Sequence, residues 1–287
     1  CRRDGVTNPH GRVLTEAEAV ELLQGCAGVV AGTEKLTAEV MDAVPELRVI
    51  SRCGVGMDGV DLEAARSRNI VVRNTPDAPT RAVAELTLAY VLDLLRRVSL
   101  MDRELRSGVW KKRMGGRLLG KRLAVIGFGR IGRAVAELFS RMGCEVGFWD
   151  PAVDSYVTVG DSTYRRMDKN SLLAWADILS LHCAKPADGC LVLDRESIAL
   201  MKKGAFLINA ARGGLVDEDA LAAALENEML AGAALDVFGR EPYSGPLTKM
   251  DQVVLTPHIG SYAVESRVEL ETQSVSNLLE SLGAVSQ

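Results

Sequence analysis

Four side chains able to do chemistry stand at the ends of three short segments. They are Arg212 in INAARGGLVDEDAL, Asp236 and Glu241 in AGAALDVFGREP, and His258 in VVLTPHIGSYA. Each segment opens on an apolar, β-type run, which places these residues just past a strand's C-terminal end, where open α/β sheets bind ligands. An arginine is a forked, permanent cation that can clamp a carboxylate and aim a donor at a neighbouring carbonyl oxygen. A histidine gives or takes a proton near neutral pH, and a carboxylate beside it orients the ring and favours the protonated acid that a reduction needs. Singly, each has a plain reading: a hydrogen-bonding His, a salt-bridged Arg, a turn Glu before Pro242. Together they suit hydride chemistry on a 2-oxo acid, provided that a hydride carrier is held beside them.

The segment LAVIGFGRIGRAVAELFSRMGCEVGFWDP, residues 123–151, supplies a place for that carrier. Gly127, Gly129 and Gly132 meet three demands: a tight turn, close approach of backbone to a pyrophosphate, and close packing of strand on helix. The helix that follows offers its N-terminal N–H groups to phosphate. A lone GxGxxG is weak evidence, but here a strand precedes it, a helix follows, and the next strand ends in Asp150. An acid at that point accepts bonds from the adenosine ribose hydroxyls and repels a 2′-phosphate, which points to NAD over NADP.

The elements around these residues alternate. Strand-like runs (AGVVAG, LRVISRCG, IVVRN, RLAVIGFG, EVGFWD, DILSLHC, AFLINAAR, AGAALDVF, QVVLTPHIG) are separated by stretches with helical spacing, among them TEAEAVELLQ, VAELTLAYVLDLLRRV, RAVAELFSRMG, DEDALAAALENEML and AVESRVELETQSVSNLLESLG. Apolar runs without polar alternation predict strands covered on both faces, hence an α/β fold with mainly parallel sheets. The length of 287 residues and two groups of strands predict two domains, with a boundary near NTPDAPT, residues 74–80. A net charge of −4 gives no reason to expect nucleic acid or an anionic membrane as partner, and no run is long enough to span a bilayer. Cys1, Cys26, Cys53, Cys144, Cys183 and Cys190 form no CxxC pair, so they read as scattered reduced thiols of a cytoplasmic protein, with no metal site.

NAARGGLVDEDAL, GAALDVFGREP and TPHIG, behind GFGRIG and FWDP, resemble the D-isomer-specific 2-hydroxyacid dehydrogenase family. ISRCGVGMDGVDLEAA, VVRNTPDAPTRAVAEL and WKKRMGGRLLGKRLAVIG extend the resemblance over nearly the full chain. It implies two doubly wound parallel-sheet domains. A Rossmann-type NAD domain, residues 77–257, would be inserted into a discontinuous flavodoxin-like substrate domain, residues 1–76 and 258–287. It implies that Arg212 binds substrate, that His258 is the general acid/base and that Glu241 is its carboxylate partner. Val55 and Gly56 would present amides to the substrate carboxylate. Arg130, Ile131, Asp150, Ala184, Ala210, Asp236, His258 and Gly260 would line the NAD site with the three glycines, Asp236 near the nicotinamide carboxamide. The helix from about residue 80 would build a homodimer, and the substrate would lie in a cleft that closes to exclude water.

Within the family the likeness is strongest to the branch acting on 3-phosphoglycerate and 3-phosphohydroxypyruvate, at the entry to serine biosynthesis. Arg52 stands where that branch carries a basic residue for the phosphate, and Lys112, after Trp110, is a second candidate. Two features depart from it: Ala31 occupies a position where the branch usually has arginine, with Lys35 nearby, and no serine-sensing domain follows. A general reductase of hydroxypyruvate or glyoxylate is the alternative, and an NAD-sensing co-repressor is the non-enzymatic one. The family also opens with a strand and helix before VTNPHGRVLTEAE; their absence would leave a sheet edge uncovered.

Overall fold

The computed structural model describes residues 5–186 and 188–285; Cys1 lies outside them. In chain order the elements are α1 (Glu16–Leu23), β1 (Gly28–Ala31), α2 (Ala38–Ala43), β2 (Val49–Arg52), α3 (Leu62–Ser67) and β3 (Val71–Asn74). There follow α4 (Thr80–Arg96), α5 (Val98–Arg106), β4 (Arg122–Ile126), α6 (Arg130–Arg141), β5 (Glu145–Trp149), β6 (Tyr156–Val159) and β7 (Ser162–Arg166). Next come α7 (Lys169–Trp175), β8 (Ile178–Leu181), α8 (Arg195–Ala199), β9 (Ala205–Asn209), α9 (Glu218–Glu226), β10 (Leu230–Leu235), a 3-10 turn Pro246–Lys249, β11 (Val253–Leu255) and α10 (Val264–Val285). They form two units, Cys1–Pro79 with Ser261–Gln287, and Thr80–Gly260. The divisions therefore fall at Pro79 and Gly260.

The first unit is a three-stranded parallel sheet in the order β1-β2-β3. Alternation along β2 assigns its two faces. Ile50 belongs to the core built with α1, α2 and α3, from Ala19, Leu36, Val40, Met41 and Ala65. Ser51, fully buried on the opposite face, donates to the carbonyl of Ser274 in α10 at 2.7 Å. Asn277 of the same helix reaches the Asn74 carbonyl at 3.1 Å. Helix α10 thus returns to cover the sheet of β1, β2 and β3. Short polar side chains start the short helices: Thr15, Thr37 and Asp61 each accept a bond from a first-turn N–H.

The second unit is an eight-stranded sheet in the order β11-β10-β9-β8-β4-β5-β7-β6. Every pairing is parallel except β6 with β7. The central strands read RLAVI, ILSL, AFLIN and LAGAAL and are buried almost throughout, the signature of a sheet covered on both faces. The period of two splits their side chains between two cores. Ala124, Ile126, Leu179, Leu181 and Leu207 join Leu172, Leu221 and Leu225 of α7 and α9. Leu123, Val125, Ile178 and Ile208 join Val91 and Leu95 of α4 and Val135 and Phe139 of α6.

Two local features depart from the sequence reading. Residues 156–166, assigned no strand, form the β6–β7 hairpin, which makes the sheet mixed rather than purely parallel. The helical stretch ending LLRRV is broken at Arg97, which adopts a left-handed φ of 55° between α4 and α5.

Candidate functional site

Because β4, β5, β8, β9, β10 and β11 all run parallel, the loops that leave them open on one edge of the second unit. Gly127–Gly132, Asp150, Ala184, Ala210, Arg212, Asp236, Glu241, His258 and Gly260 all lie on those loops, or at the start of the helix that follows one. The structure brings them to this edge from strands well separated in sequence.

The three glycines differ in what surrounds them. Gly127 has a left-handed φ of 90°, and a Cβ there would stand 2.5 Å from the Cys183 nitrogen, so the loops after β4 and β8 touch through bare backbone. A Cβ on Gly132 would stand 2.0 Å from the Gly127 carbonyl oxygen, which only glycine permits. At Gly129 a Cβ would meet nothing within 4 Å. Gly129 is also the N-cap of α6, and no side chain caps that helix. Open space before an uncapped helix start is what a pyrophosphate requires. Beneath the loop, Phe128 stacks on Phe148 with ring centroids 3.9 Å apart, and Tyr164 meets it edge-on at 5.7 Å.

Asp150 follows β5. Its Oδ2 accepts from the Phe128 N–H at 2.7 Å and its Oδ1 from Ala152 at 2.9 Å. The carboxylate is therefore tied to the glycine loop itself while the residue keeps partial exposure. On β8, Ser180 lies within 2.8 Å of His182 Nε2, and burial pushes the His182 pKa down to about 3. This imidazole is neutral, and among the described residues its Nδ1 has no hydrogen-bond partner.

Arg212 is placed by Asn209, a buried residue at the end of β9. Asn209 Oδ1 accepts from the Ala211 N–H at 3.2 Å, and its Nδ2 donates to the Arg212 carbonyl at 3.0 Å. This turn fixes where the arginine leaves the strand, and Arg212 Nη1 donates to the Ala211 carbonyl at 2.7 Å. The next residue, Gly213, is pressed against the Phe238 carbonyl, where a Cβ would stand 1.7 Å from the oxygen. The arginine loop is thus seated directly on the loop that carries Glu241.

Glu241 Oε1 accepts from the Phe238 N–H at 3.1 Å, which turns Oε2 toward His258 Nδ1, also at 3.1 Å. Both side chains are exposed. His258 has a left-handed φ of 57°. Asp236 beside it is 1% exposed and saturated by protein donors. Its Oδ1 accepts from the Thr256 hydroxyl, from Ile259 N–H at 2.8 Å and from Tyr90 Oη at 3.3 Å; its Oδ2 accepts from Gly260 N–H at 2.7 Å. The structure thus gives Asp236 a role that the sequence did not suggest, that of a clamp on residues 259–260.

Arg52, Val55 and Gly56 belong to the first unit, at the end of β2 and in the loop after it. Arg52 Nη1 donates to the carbonyls of Cys53 and of Ala31, the latter at 3.4 Å. The loop is tied by the Thr75 hydroxyl, which accepts from Gly54 N–H at 2.8 Å, and by Asn74, which donates to the Val55 carbonyl at 3.0 Å. Sequence reasoning overlooked Asn209, Tyr90 and Thr256. Asn209 carried a signal, an Asx residue directly after an apolar strand.

Residues 88–260 match the model of the D-isomer specific 2-hydroxyacid dehydrogenase NAD binding domain. The chain is 40% identical to a glyoxylate reductase of Thermofilum pendens over 255 residues, 86% of this chain and 75% of that protein. It is 39% identical to a D-3-phosphoglycerate dehydrogenase of Mycobacterium leprae over 80% of this chain, which spans 44% of that longer protein. Among solved structures, a Thermus thermophilus protein superposes with a TM-score of 0.87 at 38% identity, covering 98% of this chain and 88% of that one. The glycine hand, the uncapped helix and the acid after β5 fit the cofactor that the family's domain name specifies. The chain is an NAD-dependent oxidoreductase of the D-isomer-specific 2-hydroxyacid dehydrogenase family.

Proposed function

We propose that the chain interconverts a D-2-hydroxy acid and its 2-oxo acid with Arg212, Glu241 and His258 as the working residues. The observation that carries this reading is the His258–Glu241 contact at 3.1 Å on the ligand-binding edge of the sheet. A nicotinamide held at this edge would supply or receive the hydride at carbon 2. Glu241 accepts the Nδ1–H, which leaves His258 Nε2 to give a proton to the developing alkoxide, or to take it from the hydroxyl in the reverse direction. Arg212 draws negative charge onto the reacting oxygen and holds the carboxylate. Gly127, Gly129, Arg130, Ile131 and Gly132 are assigned to the pyrophosphate, Asp150 to the adenosine ribose, and Ala184, Ala210, Asp236 and Gly260 to the remaining cofactor surface.

For the substrate we propose 3-phosphohydroxypyruvate and 3-phosphoglycerate, hence a place in serine biosynthesis. Arg52 is three residues from Val55, and its bonds to the Cys53 carbonyl and to the Ala31 carbonyl at the end of β1 hold the guanidinium beside that loop. A second reading, an unphosphorylated acid such as hydroxypyruvate or glyoxylate, is favoured by those same bonds, which occupy Arg52 donors, and by the methyl side chain of Ala31. NADH oxidation with 3-phosphohydroxypyruvate, hydroxypyruvate, glyoxylate and pyruvate side by side decides. At least a tenfold advantage in kcat/KM for the phosphorylated acid, about 1.4 kcal/mol, supports the first reading. Equal or better turnover of the others supports the second.

A homodimer is part of the proposal. On α5 and the segment after it, Val98, Leu105, Val109, Trp110 and Met114 are exposed, Trp110 by 82% and Met114 by 92%. Apolar side chains gathered in this way belong in an interface. Light scattering of Trp110→Asp against the parent protein tests it, a monomeric variant being the supporting result. The five described cysteines are free thiols, which fits a reducing compartment such as the cytoplasm.

A further inference from the structure

We propose that Tyr90, on α4, is a positioning residue for His258, acting through Thr256 and Asp236. Tyr90 is 4% exposed, and burial raises its pKa, so its hydroxyl stays protonated and remains a donor. The Thr256 hydroxyl gives its one proton to the Asp236 carboxylate, which can only accept, so the proton at the Tyr90–Thr256 contact comes from Tyr90. Tyr90 Oη donates to Thr256 Oγ1, with a longer approach of 3.3 Å to Asp236 Oδ1, and Thr256 Oγ1 donates to Asp236 Oδ1. Such a directed chain polarises each bond in turn. Its terminal carboxylate spends both oxygens on the N–H groups of Ile259 and Gly260, at 2.8 and 2.7 Å.

Those two amides immediately follow His258, whose left-handed φ of 57° is unfavourable for a residue with a Cβ and has to be held by its surroundings. On its other side the His258 N–H bonds to the Thr256 carbonyl at 3.1 Å. Thr256 therefore ties the loop twice, by its carbonyl before the histidine and through Asp236 after it. Tyr90 orients the Thr256 hydroxyl from beneath and touches neither substrate nor cofactor in this scheme. The inference rests on the assignment of His258 as the acid/base group.

The test compares Tyr90→Phe, Thr256→Val and Thr256→Ser with the parent protein. It follows NADH affinity, kcat, and hydrogen exchange at the Ile259 and Gly260 amides. In Tyr90→Phe and Thr256→Val, exchange at these two amides should rise at least tenfold while β10 amides stay protected. In the same variants kcat should fall at least fivefold with NADH affinity held within twofold, and Thr256→Ser should restore both readouts. Unchanged exchange at Ile259 and Gly260 overturns the proposal, even if the parent protein turns over no 2-oxo acid, an outcome that would count separately against the proposed function. Weakened NADH binding at unchanged kcat also overturns it, since the hydroxyls would then serve the cofactor. A uniform loss of protection along α4 and β10 would mean a general packing role and would equally sink it.

Discussion

His258 Nδ1 and Glu241 Oε2 stand 3.1 Å apart, and the two residues are exposed rather than buried together. An exposed ion pair adds little to stability, typically about 0–1 kcal/mol. This pair is therefore better understood as an orienting contact than as a structural one. His258→Ala should lower kcat by roughly a hundredfold or more, the range of general acid–base contributions. The thermal unfolding midpoint and NADH affinity should stay close to those of the parent. A fully active His258→Ala protein would remove the residue from the mechanism.

The glycine loop allows fold and binding to be separated by two equal changes. Gly129→Ala adds a methyl where nothing lies within 4 Å, so the unfolding midpoint should move by no more than about 2 °C. NADH affinity should nevertheless fall at least tenfold, about 1.4 kcal/mol, because the methyl fills the approach to the phosphates. Gly132→Ala puts its methyl 2.0 Å from the Gly127 oxygen and should cost about 1–3 kcal/mol of stability. Calorimetry with and without NADH measures both. Equal behaviour of the two variants would contradict the division of roles.

Asp150 is the residue proposed to set the choice of cofactor. Removing its carboxylate in Asp150→Ala takes away the repulsion of a 2′-phosphate and also the acceptor for the Phe128 N–H. The kcat/KM ratio of NADPH to NADH should rise at least tenfold, with NADH itself used less well. An unchanged ratio would mean that Asp150 holds the loop and does not read the ribose.

His182 predicts a pH dependence whose sign follows from its burial. Its folded pKa of about 3 lies below the ordinary 6.5, so the unfolded chain takes up the proton first. The stability that depends on neutral His182 is complete above about pH 6.5 and is lost progressively toward about pH 3, at about 1.4 kcal/mol per pH unit. Urea unfolding of the parent and of His182→Gln at pH 6.5 and pH 5 isolates this term from the carboxylates. The parent should lose about 2 kcal/mol more than the variant over that interval. Parallel losses would show that the ring is protonated without cost.

The main frame of the fold is legible in apolar runs such as RLAVI, ILSL and AFLIN, because a strand buried on both faces leaves little choice of residue. The glycines, Asp150, Arg212, Glu241 and His258 stand out as candidates for a related reason: each proposed chemistry admits few residue types. The β6–β7 hairpin was not, since YVTV and STYRR mix threonines, a serine and arginines with half-buried valines. A signal was nevertheless present. Val159 pairs with Ser162, leaving Gly160 and Asp161 as a two-residue loop with Gly160 at a φ of 56°. Tyr90 was hidden for a different reason: its approach to Asp236 spans 146 residues of sequence, and a tyrosine on an amphipathic helix reads as core. Nor does the sequence state that Arg52 bonds to its own loop's carbonyls, because that depends on a rotamer.

The return of α10 to the first sheet sets an order of events during synthesis. The strands β1, β2 and β3 leave the ribosome early, but the face that carries Ser51 has no cover until Ser274 and its helix emerge. At about 5–20 residues per second that face waits roughly ten to forty seconds, while the whole of Thr80–Gly260 is made and is free to fold as a continuous unit. A nascent chain halted before Val264 thus leaves uncovered the sheet face that α10 buries in the folded unit.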